Sequence, residues 1–337
     1  MNANRLTYLF NNGKNAKFPY YLKAFSRLAI PSSWLHQRLQ RLLDEIESRP
    51  DREEIHKRAE YYNKLNTGIS TQNEGIRYTY PADMPSISDM RPGSQKVYYL
   101  DTMEYARYFN PRLKLLLKGG DNTIIPPFPS IVKSRPIAGA NANAVLLNLD
   151  KVRHFIFYND KRGFEEKDDR ALFRGKACGK PNRIMFMNRF WGNPRFHLAT
   201  IDAPRKEWKG EKLTLSQQLR NRNIMALEGN DVASNLKWVM SSNSIAVTPR
   251  MKYETWFMEG LLKGGEHYIE VADDFSDVEE KIDYYSSHQA EAREIIENAH
   301  RFVNRFRNQK REKLISLLVL DRYLKAVNPD FQETGKH

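Results

Sequence analysis

Apolar positions along the chain follow two different periods, and the change between them suggests how it is divided. Leu35, Leu39, Leu42, Leu43 and Ile46 recur about every 3.6 residues, with Ser32 and Ser33 as candidate caps and Pro50 beyond. This predicts an amphipathic helix within a mostly helical stretch over 20–70. Residues 71–110 are rich in Ser, Pro, Tyr and Asp and read as loops with short strands. Residues 113–117 read as a short apolar strand that stops at Gly119-Gly120, with Asp121 at its exit. Pro126-Pro127-Phe128-Pro129 follows and cannot occupy a central strand. From about 145 onwards short apolar runs alternate with helical ones. Residues 154–158, 171–173, 197–201, 223–227, 244–247 and 267–271 read as strands. Residues 184–187, 234–241, 278–286 and 289–307 read as helices, the last with Ile295, Ile296, Ala299, Phe302, Val303 and Phe306 on one stripe. Strand–helix alternation predicts parallel α/β layers. In such sheets ligands sit outside the carboxyl ends of the strands, so the residues just after each strand are the ones to inspect.

Length and composition narrow this picture. A chain of 337 residues, 40% hydrophobic and 12% aromatic, can build about two domains with real cores. No internal repeat or low-complexity tract is present. No run approaches the length of a membrane span: the most apolar one, 314–320, is short and is interrupted by Ser316. Met1-Asn2-Ala3-Asn4-Arg5 leads into no signal-like apolar segment, and Glu333 to His337 carries no retention or lipidation signal. A single cysteine, Cys178, excludes an intramolecular disulfide and a zinc site built on several thiolates. The expectation is a soluble, intracellular, two-domain protein, cytoplasmic and able to sit peripherally on an anionic membrane. The net charge of +13 is open to nucleic acid, an anionic membrane surface or an anionic small substrate. The densest basic stretch, 301–313, reads as a solvated helix face. No helix-turn-helix, ribonucleoprotein or zinc-finger signature accompanies it, so nucleic acid is not an expected partner.

Four segments could carry chemistry. In Lys118-Gly119-Gly120-Asp121-Asn122, the Asp121 carboxylate follows a glycine pair where backbone can approach a ligand closely. It reads as a general base, or alternatively as a turn or cap aspartate. Phe173-Arg174-Gly175-Lys176 delivers a guanidinium, a glycine and an ammonium from a strand end, with Arg183 a little further on. That set suits a polyphosphate, or is simply a basic turn. Glu228-Gly229-Asn230 leads through Ser234 and Asn235 into a helix carrying Lys237. This is a phosphate-binding helix start, or ordinary capping. The fourth segment, 250–260, holds acids and aromatics, Glu254 among them, suited to ribose, base or sugar contacts. The alternative is a surface helix with Trp256 and Phe257 packed inward. There is no HExxH, GxSxG, GxxxxGK[ST] or GxGxxG motif and no Asp-x-Asp pair. Cys178 lies near Arg174, Lys176 and Lys180, cations that lower a thiol pKa, but no partner base accompanies it.

Taken in order, these segments resemble glycosyltransferase family 90. That family includes capsule-associated xylosyltransferases, protein O-glucosyltransferases and bacterial lipopolysaccharide-modifying enzymes, and the likeness is closest to the bacterial group. It covers about 95–305 and leaves 1–90 without a counterpart. It rests on Gly120-Asp121 followed by Pro129-Ser130-Ile131-Val132-Lys133-Ser134, on Phe173-Arg174-Gly175, and on Glu228-Gly229-Asn230 through Ser234 and Lys237. Ser244-Ile245-Ala246-Val247, Trp256 and His267-Tyr268-Ile269 complete it. The resemblance implies a GT-B architecture of two facing Rossmann-like domains. Residues 1–145 would form the acceptor side, with 308–337 packing back on it, and 146–307 the nucleotide-sugar side. It further implies inverting, metal-independent transfer from a UDP-sugar, with no cofactor, to a lipopolysaccharide core saccharide. Asp121 would be the base. Arg174, Gly175, Lys176, Arg183, Gly229, Ser234, Asn235, Lys237 and Glu254 would contact the donor. Many relatives carry an arginine where this chain has Asn235, which shifts phosphate binding towards Arg174 and Lys237. A non-catalytic binder of anionic glycans or nucleic acid is the competing reading, and it has no need of Asp121. Transfer to protein, as in secreted relatives, is disfavoured by the absent leader.

Overall fold

A computed structural model describes residues 12–65, 78 and 80–331. The first and last few residues, and the 66–77 part of the stretches read above as helix and loop, lie outside the described residues. The chain forms two compact units. One comprises Lys17–Lys151, Tyr253–Trp256 and the residues from 308, and is called the N-terminal unit below. The other comprises the residues up to 16, Val152–Lys252 and Phe257–Arg307, and is called the central unit.

In the N-terminal unit, helices Lys17–Leu28, Ser32–Glu47, Arg52–Tyr62 and Lys96–Ala106 precede a small sheet. Strands β1 (Leu117–Lys118), β2 (Ser130–Val132) and β4 (Ala144–Leu146) pair in parallel in the order β1-β2-β4. Between β2 and β4, β3 (Ser134–Pro136) pairs antiparallel with β9 (Tyr253–Thr255). Segment 250–260 is therefore not a surface helix: its middle is a strand, with Glu254, Thr255 and Trp256 buried. The 113–117 strand shrinks to β1, because Leu115 N–H is taken by Pro85 O instead of a ladder. Lys96–Ala106 is a helix where loops were expected. Tyr98, Leu100, Asp101, Thr102, Met103, Tyr105 and Ala106 are all buried, so it presents no polar face for periodicity to reveal.

The 19-residue helix Gln309–Val327 packs against Arg52–Tyr62 and Lys96–Ala106. Its Leu314–Leu320 run is buried throughout, and Ser316 satisfies its hydroxyl on Glu312 O at 2.8 Å. Glu312 is bound from three sides. Arg58 Nη1 and Nη2 lie 2.5 and 2.9 Å from its two oxygens, and Trp256 Nε1 donates at 2.6 Å. Tyr62 stacks on Trp256 with ring centroids 3.8 Å apart. Each buried charge here is paired and hydrogen-bonded, which is what makes its burial tolerable. The dense basic stretch also departs from its expected form. It is broken at 305–308 between two helices, and Phe302, Val303, Phe306 and Glu312 within it are buried.

In the central unit, β5 (Asp168–Gly175), β6 (Phe196–Thr200), β7 (Asn221–Met225), β8 (Ile245–Pro249) and β10 (Ile269–Val271) form one parallel sheet in the order β10-β8-β7-β5-β6. Ile245–Val247 of β8 and Ala171–Phe173 of β5 are buried apolar runs, whereas β7 carries Asn221, Arg222 and Asn223 before Ile224 and Met225. Phe173, Phe186, Phe190, Phe196, Trp208 and Phe275 dominate one side of the core. Residues 154–158 are not a strand. His154 ends a one-turn helix, Lys151–His154, and the loop after it is held by side chains: Asn15 Nδ2 donates to Phe155 O at 3.0 Å and Ser241 Oγ accepts from Tyr158 N–H at 2.7 Å. Backbone groups satisfied in this way need no neighbouring strand.

Candidate active site

The order β6-β5-β7-β8-β10 sends the chain from β5 to one side and then, with β7, back to the other, so the topological switch point lies between β5 and β7. Open α/β sheets bind ligands at that point, outside the carboxyl ends of the strands. Three of the predicted donor residues stand there. The β5–β7 ladder ends at Leu172↔Ile224, while β5 continues with β6 to Gly175↔Thr200. Arg174, Gly175 and Lys176 therefore lie where β5 and β7 have parted. Arg183, on helix Pro181–Phe190, spans the gap. It donates to Lys176 O at 2.8 Å, Leu227 O at 2.6 Å and Glu228 O at 3.1 Å, so it fastens the two strand exits together. A Cβ on Gly229 would come within 3.2 Å of Arg183 Nη2, which explains the glycine. Asp202, just after β6, accepts from Ala177 N–H at 2.9 Å and Cys178 N–H at 3.0 Å and orders the loop after Lys176.

Arg174 differs from the other buried cations. It is half-buried, and its nearest polar neighbour is a histidine: Arg174 Nη2 lies 3.0 Å from His197 Nε2. Among the described residues its Nε is buried without a hydrogen bond and no carboxylate lies within ion-pair distance. Gly210 makes room for it, since a Cβ there would come within 2.5 Å of Nη1. Burial pushes Arg174 down from the usual guanidinium value, yet a guanidinium stays charged. A desolvated cation without a counter-charge at a strand exit is a site for an anion. Burial, and then the Arg174 charge, also hold His197 below the ordinary histidine value of 6.5. His197 is thus neutral in the native protein and accepts from Arg174. A depressed folded-state value stabilises the fold above pH 6.5, and that contribution is lost as pH falls through the folded value. Urea unfolding between pH 7 and 5 should show stability falling more steeply in the wild type than in His197→Asn; equal slopes would contradict a neutral His197.

The remaining donor residues fall differently. Lys176 and Ser234 are exposed at the strand exits. Asn235 turns inward and donates from Nδ2 to Met225 O at 3.0 Å. The helix it opens, Leu236–Met240, is only five residues long and offers little dipole to a phosphate. Lys237 offers no surface at all. It is fully buried, its Nζ 2.8 Å from Glu259 Oε1 and 5.0 Å from the centre of the Phe257 ring. Glu254 is likewise buried, in the N-terminal unit. Its Oε1 accepts from Arg135 Nε at 2.8 Å and its Oε2 from Tyr61 OH. Both read as ligand contacts in the sequence and both hold the fold in the structure. Cys178 is exposed, but local desolvation and the Asp202 carboxylate push its thiol up, so the nearby cations do not activate it.

Asp121 stands in the N-terminal unit, one residue beyond Gly120, whose φ of +101° is open in practice only to glycine. Its Oδ1 lies 2.5 Å from Lys133 Nζ. Lys133 is 1% exposed whereas the Asp121 side chain is 21% exposed, so the pair shows solvent the carboxylate and hides the ammonium. Asn122 fixes the turn. Its N–H donates to Ser134 Oγ at 3.1 Å, and its Nδ2 donates to Lys118 O and Gly120 O. Gly119 and Gly120 also line a cavity of about 330 Å³, together with Arg91, Gln95, Tyr98 and Tyr99. The sequence does not mark Lys133, because the proline run before it conceals β2. It stands just after that strand, where the same rule that selected Arg174 would have selected it.

Comparison with known proteins places the chain in a family. The model of a family described as glycosyl transferase family 90 matches residues 143–328, more than half of the chain and including both exits at the switch point. The chain is also 36% identical over 317 residues to a protein named O-glucosyltransferase LpsA from Dichelobacter nodosus, covering 93% of this chain and 96% of that one. The chain therefore belongs to glycosyltransferase family 90 and is a glycosyltransferase.

Proposed function

We propose that the enzyme transfers glucose from UDP-glucose to a hydroxyl of a lipopolysaccharide core saccharide, with inversion and without a metal or cofactor. The sugar follows the named activity of the relative, and the nucleotide and acceptor follow the family resemblance. What carries the reading is Arg174, a desolvated guanidinium without a counter-charge beside the switch point. The central unit acts as the donor side. Arg174 and Lys176 bind the diphosphate, Ser234 donates to it, and Arg183 with Gly175 and Gly229 shapes the cradle. The N-terminal unit acts as the acceptor side, in the GT-B manner. The Tyr98 and Tyr99 rings suit the flat faces of sugars, and Arg91 suits an anionic substituent.

In the reaction the acceptor oxygen attacks the anomeric carbon on the face opposite the nucleotide. The new C–O bond forms as the bond to the diphosphate oxygen breaks, and UDP leaves with the electron pair. Asp121 takes the acceptor's proton. Lys133 holds the Asp121 carboxylate in place through the ion pair, and its burial keeps the ammonium from competing for substrate. Charge growing on the leaving diphosphate is met by Arg174, half-buried and held beside His197 before the reaction begins, and by Lys176.

Calorimetry with UDP-glucose in the presence of chelator tests the donor half. The wild type should bind. Arg174→Ala should lose about 1.5–3 kcal/mol, roughly 10- to 150-fold in Kd, because a charge-assisted hydrogen bond is removed. Binding that appears only on adding Mn²⁺ or Mg²⁺, or an Arg174→Ala variant with wild-type affinity, would overturn it.

A further inference from the structure

The Lys17–Leu28 helix is amphipathic in the inverse sense. Its polar side faces the protein: Tyr20 OH donates to Asp101 Oδ1 at 2.8 Å, and Arg27 pairs with Glu104. Arg107 holds the end of the helix by donating to Arg27 O at 2.6 Å and to Ile30 O. Its apolar side faces outward. Phe18, Leu22 and Phe25 are spaced as one helical stripe and are 77%, 61% and 50% exposed. Ile30 in the following turn and Trp34 in the next helix continue the exposed apolar surface, with Trp34 at 63%. Singly exposed apolar side chains are ordinary, but an ordered stripe of them on a helix already anchored by its other face marks a surface that meets something apolar.

The charge around this stripe identifies what it meets. Lys14, Lys17, Lys23, Arg27, Arg38 and Arg41 lie between residues 12 and 43, and that stretch holds no Asp or Glu at all. Lys17, Lys23, Arg38 and Arg41 are exposed. Aromatic and aliphatic side chains flanked by lysine and arginine, with no acid among them, fit the headgroup layer of an anionic bilayer, where rings enter the acyl boundary and cations meet lipid phosphate. Among the described residues no helix is long and apolar enough to cross a membrane, so such a contact lies in the plane of the interface. We propose that the Phe18–Leu22–Phe25 face, continued by Ile30 and Trp34, docks the protein on an anionic phospholipid surface. This goes beyond the reading of the active site and does not depend on it; together with that reading, it would bring the enzyme to a lipid-borne acceptor.

Co-sedimentation of the full chain with phosphatidylcholine vesicles, with and without phosphatidylglycerol, tests this without any sugar substrate. The wild type should bind the phosphatidylglycerol vesicles, weaken as salt is raised, and bind pure phosphatidylcholine at least about tenfold less. Phe18→Ser/Leu22→Ser/Phe25→Ser should lower binding by about tenfold or more, because it removes the inserted apolar area. Its thermal unfolding and UDP-glucose binding should be unchanged, since all three side chains are exposed. A second measurement compares the wild type with Trp34→Phe: brominated lipid should quench the part of the emission that Trp34 supplies among the five tryptophans. Three results would sink the proposal: wild type that ignores anionic vesicles, a triple variant that binds as the wild type does, or light scattering showing a dimer that the triple variant disperses while Trp34 escapes quenching. Loss of UDP-glucose binding with vesicle binding intact would fault only the active-site reading.

Discussion

Asp121→Asn is expected to lower kcat by roughly 10²–10⁴-fold while leaving UDP-glucose affinity unchanged, because it removes the proton acceptor; it also takes the carboxylate from the buried Lys133 ammonium, a loss that falls on stability rather than on donor affinity. Asparagine has the same shape, and the turn around it is held by Asn122 on Ser134 Oγ, Lys118 O and Gly120 O, none of which involves Asp121. The loss should be confined to turnover, since the donor groups Arg174 and Lys176 belong to the other unit. A turn or capping role predicts the reverse. Asparagine serves turns and caps as well as aspartate does, so activity would survive. Transfer to a truncated core saccharide, measured beside calorimetry for the donor, separates the two. Near-wild-type turnover would move the base to another carboxylate. Glu254 would be a poor replacement, being 1% exposed and bound by Arg135 and Tyr61.

Lys237→Met is expected to destabilise the protein by about 3–5 kcal/mol, because it removes the ammonium from a fully buried ion pair and leaves the Glu259 carboxylate without that charge. Neither side chain of the pair has any exposed surface. Glu259 is presented by Met258, a non-glycine residue in the left-handed region at φ +59°, a strain that persists only where surrounding contacts enforce it. Lys237→Met/Glu259→Met should recover much of the loss, since replacing both members of a buried pair by apolar groups is often nearly neutral. Chemical denaturation of both variants gives the comparison. If Lys237 instead contacted the diphosphate, the single variant would keep wild-type stability and lose donor affinity, and the double variant would not recover that affinity.

How each of these residues was read shows what local patterning can reveal. The parallel strands of the central unit were visible from short apolar stretches such as Ala171–Phe173 and Ile245–Val247, and observed bounds differ from expected ones by a few residues. Their exits pointed to Arg174, Gly175, Lys176 and Gly229 for the same reason: chemistry in such sheets follows the strand end. Asp121 was found by its glycine pair, and Gly120 does take the conformation that only glycine adopts freely. Strands without a partner and helices without a polar face escaped. Residues 154–158 have the composition of a strand but satisfy their backbone on Asn15 and Ser241, and Lys96–Ala106 is buried on so many sides that it has no period.

The sequence by itself therefore determined the α/β class, the alternation from about 145 onwards, the family, and the short segments in which chemistry could reside. Only the tertiary structure decided which charges in those segments are taken up by a partner within the protein. A cation after a strand looks the same in sequence whether its counter-charge is a substrate or a distant carboxylate. Lys237 meets Glu259 22 residues on, Glu254 meets Arg135 119 residues away, and Asp121 meets Lys133 12 residues on, beyond a proline run that hid the strand between them. Arg174 stays half-buried with no carboxylate within ion-pair distance among the described residues, and the switch point beside it exists only because β6 and β7 pair on opposite sides of β5. Strand order and long-range charge pairing are set by which surfaces bury each other and which charges must be neutralised once water is gone, and neither is encoded within a window of neighbouring residues.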